Sequence, residues 1–180
     1  MLPKNVHPLD LVADLRTPVE VFKESLRFIA EGDSILDLGC GLVFMMEYLA
    51  GSRNSYRGVD LRPDLIKFCR SRFGSRPGIQ FDVADAARLE IPSPQFDVVA
   101  VINLLHLPNI DPVSVLRKSR EAMKSGGRLI VSGPSQGSDA GYYCSAEGMD
   151  ALLRHLGFPH ALVARSDLSR GRAYLVVAQV

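Results

Sequence analysis

Ile35-Leu36-Asp37-Leu38-Gly39-Cys40-Gly41 decides how the rest of the chain is read. A short apolar run ending in two glycines has the form of a buried strand that opens into a tight turn. Glycine lets backbone approach a ligand with no Cβ in the way and accepts unusual φ/ψ. Residues 43–50 read as the helix that follows, closed by Gly51, and such a helix directs free N–H groups at the turn. Residues 56–60 (YRGVD) form the next strand and end on Asp60, a carboxylate placed to accept hydrogen bonds from two ribose hydroxyls. Strand, glycine turn, helix, strand, acid is the arrangement of an adenosine-type cofactor site.

Outward from this unit, strands and helices alternate. Upstream, residues 17–30 read as a helix, with Thr17 as N-cap, Pro18 at the first position, Glu20 completing a capping box and Gly32 as the stop. Downstream, residues 63–73 read as a helix and 78–83 as a strand. Residues 96–102 (FDVVAVI) are apolar almost throughout, the pattern of a strand covered on both faces. A helix is expected over 113–124, ended by Gly126-Gly127, then a strand over 128–132. Ser145 caps a helix over 145–156 that Gly157 stops. Strands near 161–164 and 173–178, joined by residues 167–171, read as an antiparallel hairpin. The alternation argues for an α/β, doubly wound, mostly parallel sheet with helices on both faces. Residues 17–180 form one expected domain, preceded by an N-terminal arm over 1–16. No linker or internal repeat divides them.

Composition excludes several classes. The chain has 180 residues, 47% apolar and 23% charged, with a formal net charge of +1. That is too apolar and too balanced in charge for a disordered chain. It offers no global attraction to nucleic acid or an anionic membrane. No apolar run approaches the ~20 residues of a membrane helix. Cys40, Cys69 and Cys144 are scattered, with no zinc-ligand spacing, so no metal is expected and a reducing cytoplasm suits the chain. The stretch 1–16 lacks a signal-peptide pattern.

Two details separate the adenosine-type cofactors. A dinucleotide fingerprint would place a third glycine at residue 44, which is Phe44. Asp37 is awkward beside a pyrophosphate but welcome beside a cation, and S-adenosylmethionine carries a sulfonium, an ammonium and no phosphate. Here the chain resembles the class I S-adenosylmethionine-dependent methyltransferases, of the small-molecule methyltransferase type 11 kind, over about residues 18–180. ILDLGCG resembles the family's first motif and YRGVDLRPDLI its second. FDVADAARLEIPSPQFDVVAVINLLHL resembles the third and fourth, and EAMKSGGRLIVSGPS the helix–GG–strand that follows. SAEGMDALLRHLGF and AYLVVAQV resemble the last helix and an inserted last strand. The resemblance implies a three-layer Rossmann-like sheet of seven strands in the order 3-2-1-4-5-7-6. It departs from the family's GxGxG at Val43.

The resemblance also implies roles. Gly39, Cys40 and Gly41 line the methionine part of S-adenosyl-L-methionine, and Asp37 orients that loop and reaches towards the ammonium. Asp60 holds the ribose, and Leu61 packs on the adenine. Asp85 accepts from the adenine amino group beside Ala86, with Asp82 and Glu90 as competitors. Asn103 and Leu104 sit under the cofactor near the methyl group. The reaction it implies leaves S-adenosyl-L-homocysteine.

His106, beyond the fourth strand, is the candidate general base, with plain loop packing as the alternative. Tyr142 and Tyr143 are candidate walls of a substrate pocket, or loop surface. Met45-Met46 read as core and Cys40 as a loop filler. INLLHLP is unlike the Asn-Pro-Pro-Tyr type of nucleic-acid enzymes, so the expected acceptor is a small molecule with an O, N or C nucleophile. A protein or RNA acceptor, or a partner subunit, stays open, and no membrane is expected. Two other functions compete: a catalytically silent scaffold of the same fold, and a nicotinamide-dependent (NAD) oxidoreductase.

Overall fold

The computed structural model describes residues 19–49, 52–135, 144–159, 161–168 and 172–180. The expected arm over 1–16, the cap residues Thr17 and Pro18, and Tyr142 and Tyr143 lie outside the described residues. In chain order the elements are α1 (Val19–Leu26), β1 (Ser34–Leu38), α2 (Phe44–Tyr48), β2 (Ser55–Asp60), α3 (Pro63–Phe73) and β3 (Ile79–Val83). They continue as β4 (Phe96–Ile102), α4 (Pro112–Ala122), β5 (Met123–Pro134), α5 (Ala146–His155), β6 (Ala161–Asp167) and β7 (Ala173–Gln179).

The seven strands form one sheet in the order β3-β2-β1-β4-β5-β7-β6. The first five run parallel, while β7 is antiparallel to both β5 and β6. Alternation along the strands divides the core in two. Leu36, Leu38, Val59, Val99, Val101, Leu129 and Val131 face α4 and α5 through Val115, Leu116, Met149 and Leu153. Ile35, Tyr56, Val98, Ala100, Ile130, Leu175 and Val177 face α1, α2 and α3 through Val21, Met45, Met46, Ile66, Cys69 and Phe73. Strands buried on both faces are why FDVVAVI shows no polar alternation. Met45 and Met46 are core residues, as expected. No helix among the described residues is long and apolar enough to cross a membrane.

Among the boundaries that differ from the sequence reading, three have a visible physical cause. After Leu26 the chain tightens into i→i+3 turns as far as Ile29 instead of continuing the α-helix to Ala30. The helix expected over 43–50 is the short α2, because its N-cap Val43 is left-handed (φ 58°, ψ 48°) and provides no side-chain cap. The helix expected to reach Lys124 stops at Ala122. Met123 turns extended (ψ 139°), buries its side chain and pairs with Phe96, so β5 begins there. Gly126-Gly127 therefore does not end a helix. It lies inside β5, where the register with β4 shifts between Phe96 and Val98, the mark of a bulge.

Candidate cofactor site

β1 and β2 end side by side, with Asp37 paired to Gly58 and Leu38 to Val59. The turn leaving β1 is tied back to β2: the Gly39 and Cys40 amides both donate to the Val59 carbonyl, at 2.8 and 3.0 Å. Gly39 has φ +74°, and a Cβ there would meet a Leu104 methyl at 2.8 Å. Gly41 has φ +55°, and a Cβ there would enter open space, with nothing nearer than the Gly39 carbonyl at 4.0 Å. The turn is thus closed against the core at Gly39 and leaves a cradle at Gly41.

Asp60 stands across this cradle. One carboxylate oxygen accepts from the Gly41 amide at 3.0 Å, the other from the Arg62 amide at 2.9 Å. Each oxygen has a second lone pair, so both can still accept from a vicinal diol. Leu61, next in sequence, is 67% exposed, and Val83 on the adjacent strand end is 47% exposed. An acid with spare acceptors beside an uncovered apolar platform suits a ribose and a purine. The residues present therefore fit S-adenosylmethionine.

Asp37 has the opposite surroundings. It is 5% exposed and accepts a 2.5 Å hydrogen bond from the Tyr56 hydroxyl. Burial pushes its carboxyl up to about 7, against the Tyr56 hydrogen bond, which lowers it, and with help from nearby Asp60. Tyr56 itself is raised well above its usual value by burial and by Asp37, so it stays a neutral donor. In the sequence Tyr56 stands only at the start of a strand. The period-2 row Tyr56, Gly58, Asp60 on the strand beside Asp37 was the signal that could have found it.

The remaining candidates divide. Cys40 turns its thiol inward over Gly58, where a Cβ would lie 3.0 Å from the sulfur, while Cys69 donates to the Gly41 carbonyl at 3.3 Å. Cys40 is thus a filler below the turn. Leu104 is buried against Gly39, and Asn103 is left-handed (φ 56°) with its amide donating to the Ser132 carbonyl at 2.8 Å. Leu104 thus closes the space beneath Gly39, with Asn103 next to it at the end of β4. Asp85 is half-buried and caps its own turn by accepting from the Ala87 amide at 2.9 Å, and Ala86 packs into the core. Its competitor Asp82 is taken up by Arg57 at 2.8 Å. His106 is half-buried in the turn beyond β4, on the same carboxyl edge of the sheet. Val43 is fully buried, so the departure from GxGxG points its side chain into the core and leaves the backbone of the third position in a glycine-like conformation.

Residues 36–131 match the family model described as "Methyltransferase domain". A "Ubiquinone biosynthesis O-methyltransferase" of Xylella fastidiosa (strain 9a5c) is 37% identical over 120 residues, which is 64% of this chain and 47% of that protein. The chain spans about half the length of the curated relatives it matches. Among solved structures, an S-adenosylmethionine-dependent methyltransferase from Aquifex aeolicus superposes with a TM-score of 0.74 at 16% identity, over 97% of this chain and 100% of that one. The cyclase SpnF does so with a TM-score of 0.77 at 17% identity, over 88% and 80%. At such identities the likeness is one of fold, and one fold hosts both a methyltransferase and a cyclase. The family model covers more than half of the chain, across the glycine turn, the ribose acid and the central strands, and the chain belongs to the class I S-adenosylmethionine-dependent methyltransferase family.

Proposed function

We propose that this protein transfers a methyl group from S-adenosylmethionine to a small molecule, and that the accepting atom is oxygen. The observation that carries the reading is the Asp60 carboxylate, which ties down the glycine turn yet keeps a free lone pair on each oxygen beside the exposed Leu61. The choice of oxygen is supported by the O-methyltransferase relatives.

When bound, the cofactor supplies a methyl carbon made electrophilic by its sulfonium. Transfer needs the nucleophile, that carbon and the sulfur in line. Positioning of this kind can supply ~7–11 kcal/mol of barrier reduction. Asp60 and Leu61 hold the nucleoside, the turn 39–41 holds the methionine end, and Asn103 and Leu104 form the floor. Charge is dispersed as a neutral nucleophile meets a cation, so a strong acid or base is not needed for every acceptor. A phenolic hydroxyl does need to lose its proton, and His106 is the residue we assign to receive it.

Titration calorimetry with S-adenosylmethionine, followed by mass spectrometry of hydroxylated aromatic acceptors incubated with protein and cofactor, tests this. Micromolar binding and a 14-dalton gain on one acceptor are expected. No binding at millimolar cofactor would leave the scaffold reading in its place. Membership of the methyltransferase family leaves the nicotinamide reading without support.

A further inference from the structure

A carboxyl group is buried directly beneath the turn that receives the cationic end of the cofactor, and the described residues give it no basic partner. The groups facing Asp37 can be named element by element. From β2 come Tyr56, in hydrogen-bond contact, and Asp60, at the strand's end. The turn 39–41 brings Cys40 and α3 brings Cys69, both thiols. β4 brings only Ala100, Val98 and Ile102. α2 brings Met45 and Met46, while its Glu47 is engaged by Arg72 at 2.7 Å. On β2 itself Arg57 pairs with Asp82, and Arg62, just past the end of β2, pairs with Asp64. An ionised Asp37 therefore lacks a counter-charge until a cation enters the cleft.

We propose that cofactor binding is proton-linked through Asp37, with Tyr56 as its positioning residue: the Tyr56 hydroxyl fixes the Asp37 carboxyl under the glycine turn, and entry of the positively charged methionine end expels the Asp37 proton to solvent. This inference rests on the cofactor reading above. The step balances simply. The Asp37 O–H bond breaks, the electron pair stays on the carboxylate, the proton goes to water, and the charge gained by the protein is matched by the cation bound. Tyr56 does not change its protonation. It donates to either form, and its bond is strongest to the ionised one. Dissociation of the product, which carries one positive charge fewer, lets the carboxyl take up a proton again.

Linkage sets the size of the effect. With the free carboxyl titrating at about 7, S-adenosylmethionine affinity should rise roughly tenfold between about pH 5.8 and 7.2. The ligand's own α-amino group titrates higher, at about 7.7–8.0, and stays charged over this window.

Calorimetry in buffers of different ionisation enthalpy reads both quantities, with carboxyl-carbon NMR of the free protein as a cofactor-independent measure of Asp37. In the wild type, affinity climbs across the window and close to one proton is released at the acid end. Asp37→Asn flattens the climb and abolishes the release. Tyr56→Phe keeps the carboxyl but moves its titration to higher pH, so the affinity deficit is largest at the acid end of the window and shrinks as pH rises through about 7. S-adenosylhomocysteine shows a shallower dependence than S-adenosylmethionine. Binding that depends on pH equally in wild type and Asp37→Asn overturns the inference and leaves the cofactor reading standing. A Tyr56→Phe protein with an unmoved midpoint overturns the role of Tyr56. Failure of all three proteins to bind at any pH overturns the cofactor reading, and the inference with it.

Discussion

Asp37 and Asp60 lie on the same face at the carboxyl ends of neighbouring strands, yet they meet opposite environments. Asp60 reaches the cleft and accepts two backbone amides, whereas Asp37 is sealed below the turn with one phenol. Asp60→Ala should weaken S-adenosylmethionine binding by ~1–3 kcal/mol, the cost of losing a hydrogen-bond acceptor, as read by calorimetry. The variant also frees the Gly41 amide, so Asp60→Asn, which keeps an acceptor oxygen, should retain part of the affinity. For Asp37 the sign reverses. Its raised value means that the unfolded chain ionises near 3.8 while the folded one holds the proton to about 7. Stability therefore falls as pH rises through that window. Asp37→Asn should be more stable than the wild type above pH 7, by up to about 4 kcal/mol in denaturant titrations, and close to it below pH 4. Val43 provides a third test. It is β-branched, fully buried and left-handed. The left-handed region costs a non-glycine residue ~1–2 kcal/mol. Val43→Gly should then be more stable than Val43→Ala by ~0.5–1 kcal/mol, the reverse of the usual order for two truncations, because the strain relieved exceeds the chain entropy lost.

At the scale of elements, the junction of α4 and β5 shows how pairing overrides a stop signal. Residues 123 and 124 carry no helix breaker, and a Gly-Gly pair follows, so the sequence reads as helix to that point. The strand wins because Met123 can bury its side chain and pair with Phe96, while Gln95 donates its amide to the Ala122 carbonyl at 2.9 Å. The glycines then serve the bulge. At Gly127 a Cβ would lie 2.8 Å from the Lys124 carbonyl oxygen and 3.3 Å from that of Phe96, both backbone atoms that cannot swing aside. Gly127→Ala should destabilise the protein by ~1–3 kcal/mol in urea unfolding, as overpacking against fixed atoms does.

Across the whole molecule, the pH response combines the cleft with the opposite edge of the sheet. There Asp97 accepts from the Ser34 amide at 2.9 Å, the Ser34 hydroxyl at 2.5 Å and the Lys124 ammonium at 2.9 Å, clipping the starts of β1 and β4 to β5. Partial burial raises its carboxyl, but these bonds outweigh that and bring it down to about 2. Its contribution is present above 3.8 and is lost as pH falls towards 2. With Asp37 acting in the other direction above 3.8, the free protein should be most stable in mildly acidic solution, near pH 4–5, as a series of thermal melts would show. Saturating S-adenosylmethionine should shift that optimum upwards, since a ligand that prefers the ionised cleft stabilises it most at higher pH.

The strand count and the parallel core follow from features the chain carries locally, while the strand order came with the resemblance of its motifs to the family. Double-sided burial makes β4 uniformly apolar, and the glycine turn with Asp60 two elements later marks where the strand order reverses. Those signals are legible because they depend on residues close in sequence or on a period that one strand imposes on itself. The state of Asp37, the partnership with Tyr56 nineteen positions away, the inward turn of Cys40 and the extension of β5 at the expense of α4 were decided only when distant strands came into register. A carboxylate's charge depends on what surrounds it in space, and a backbone's choice between helix and strand on which partner offers more burial. Neither is a property of the local chain.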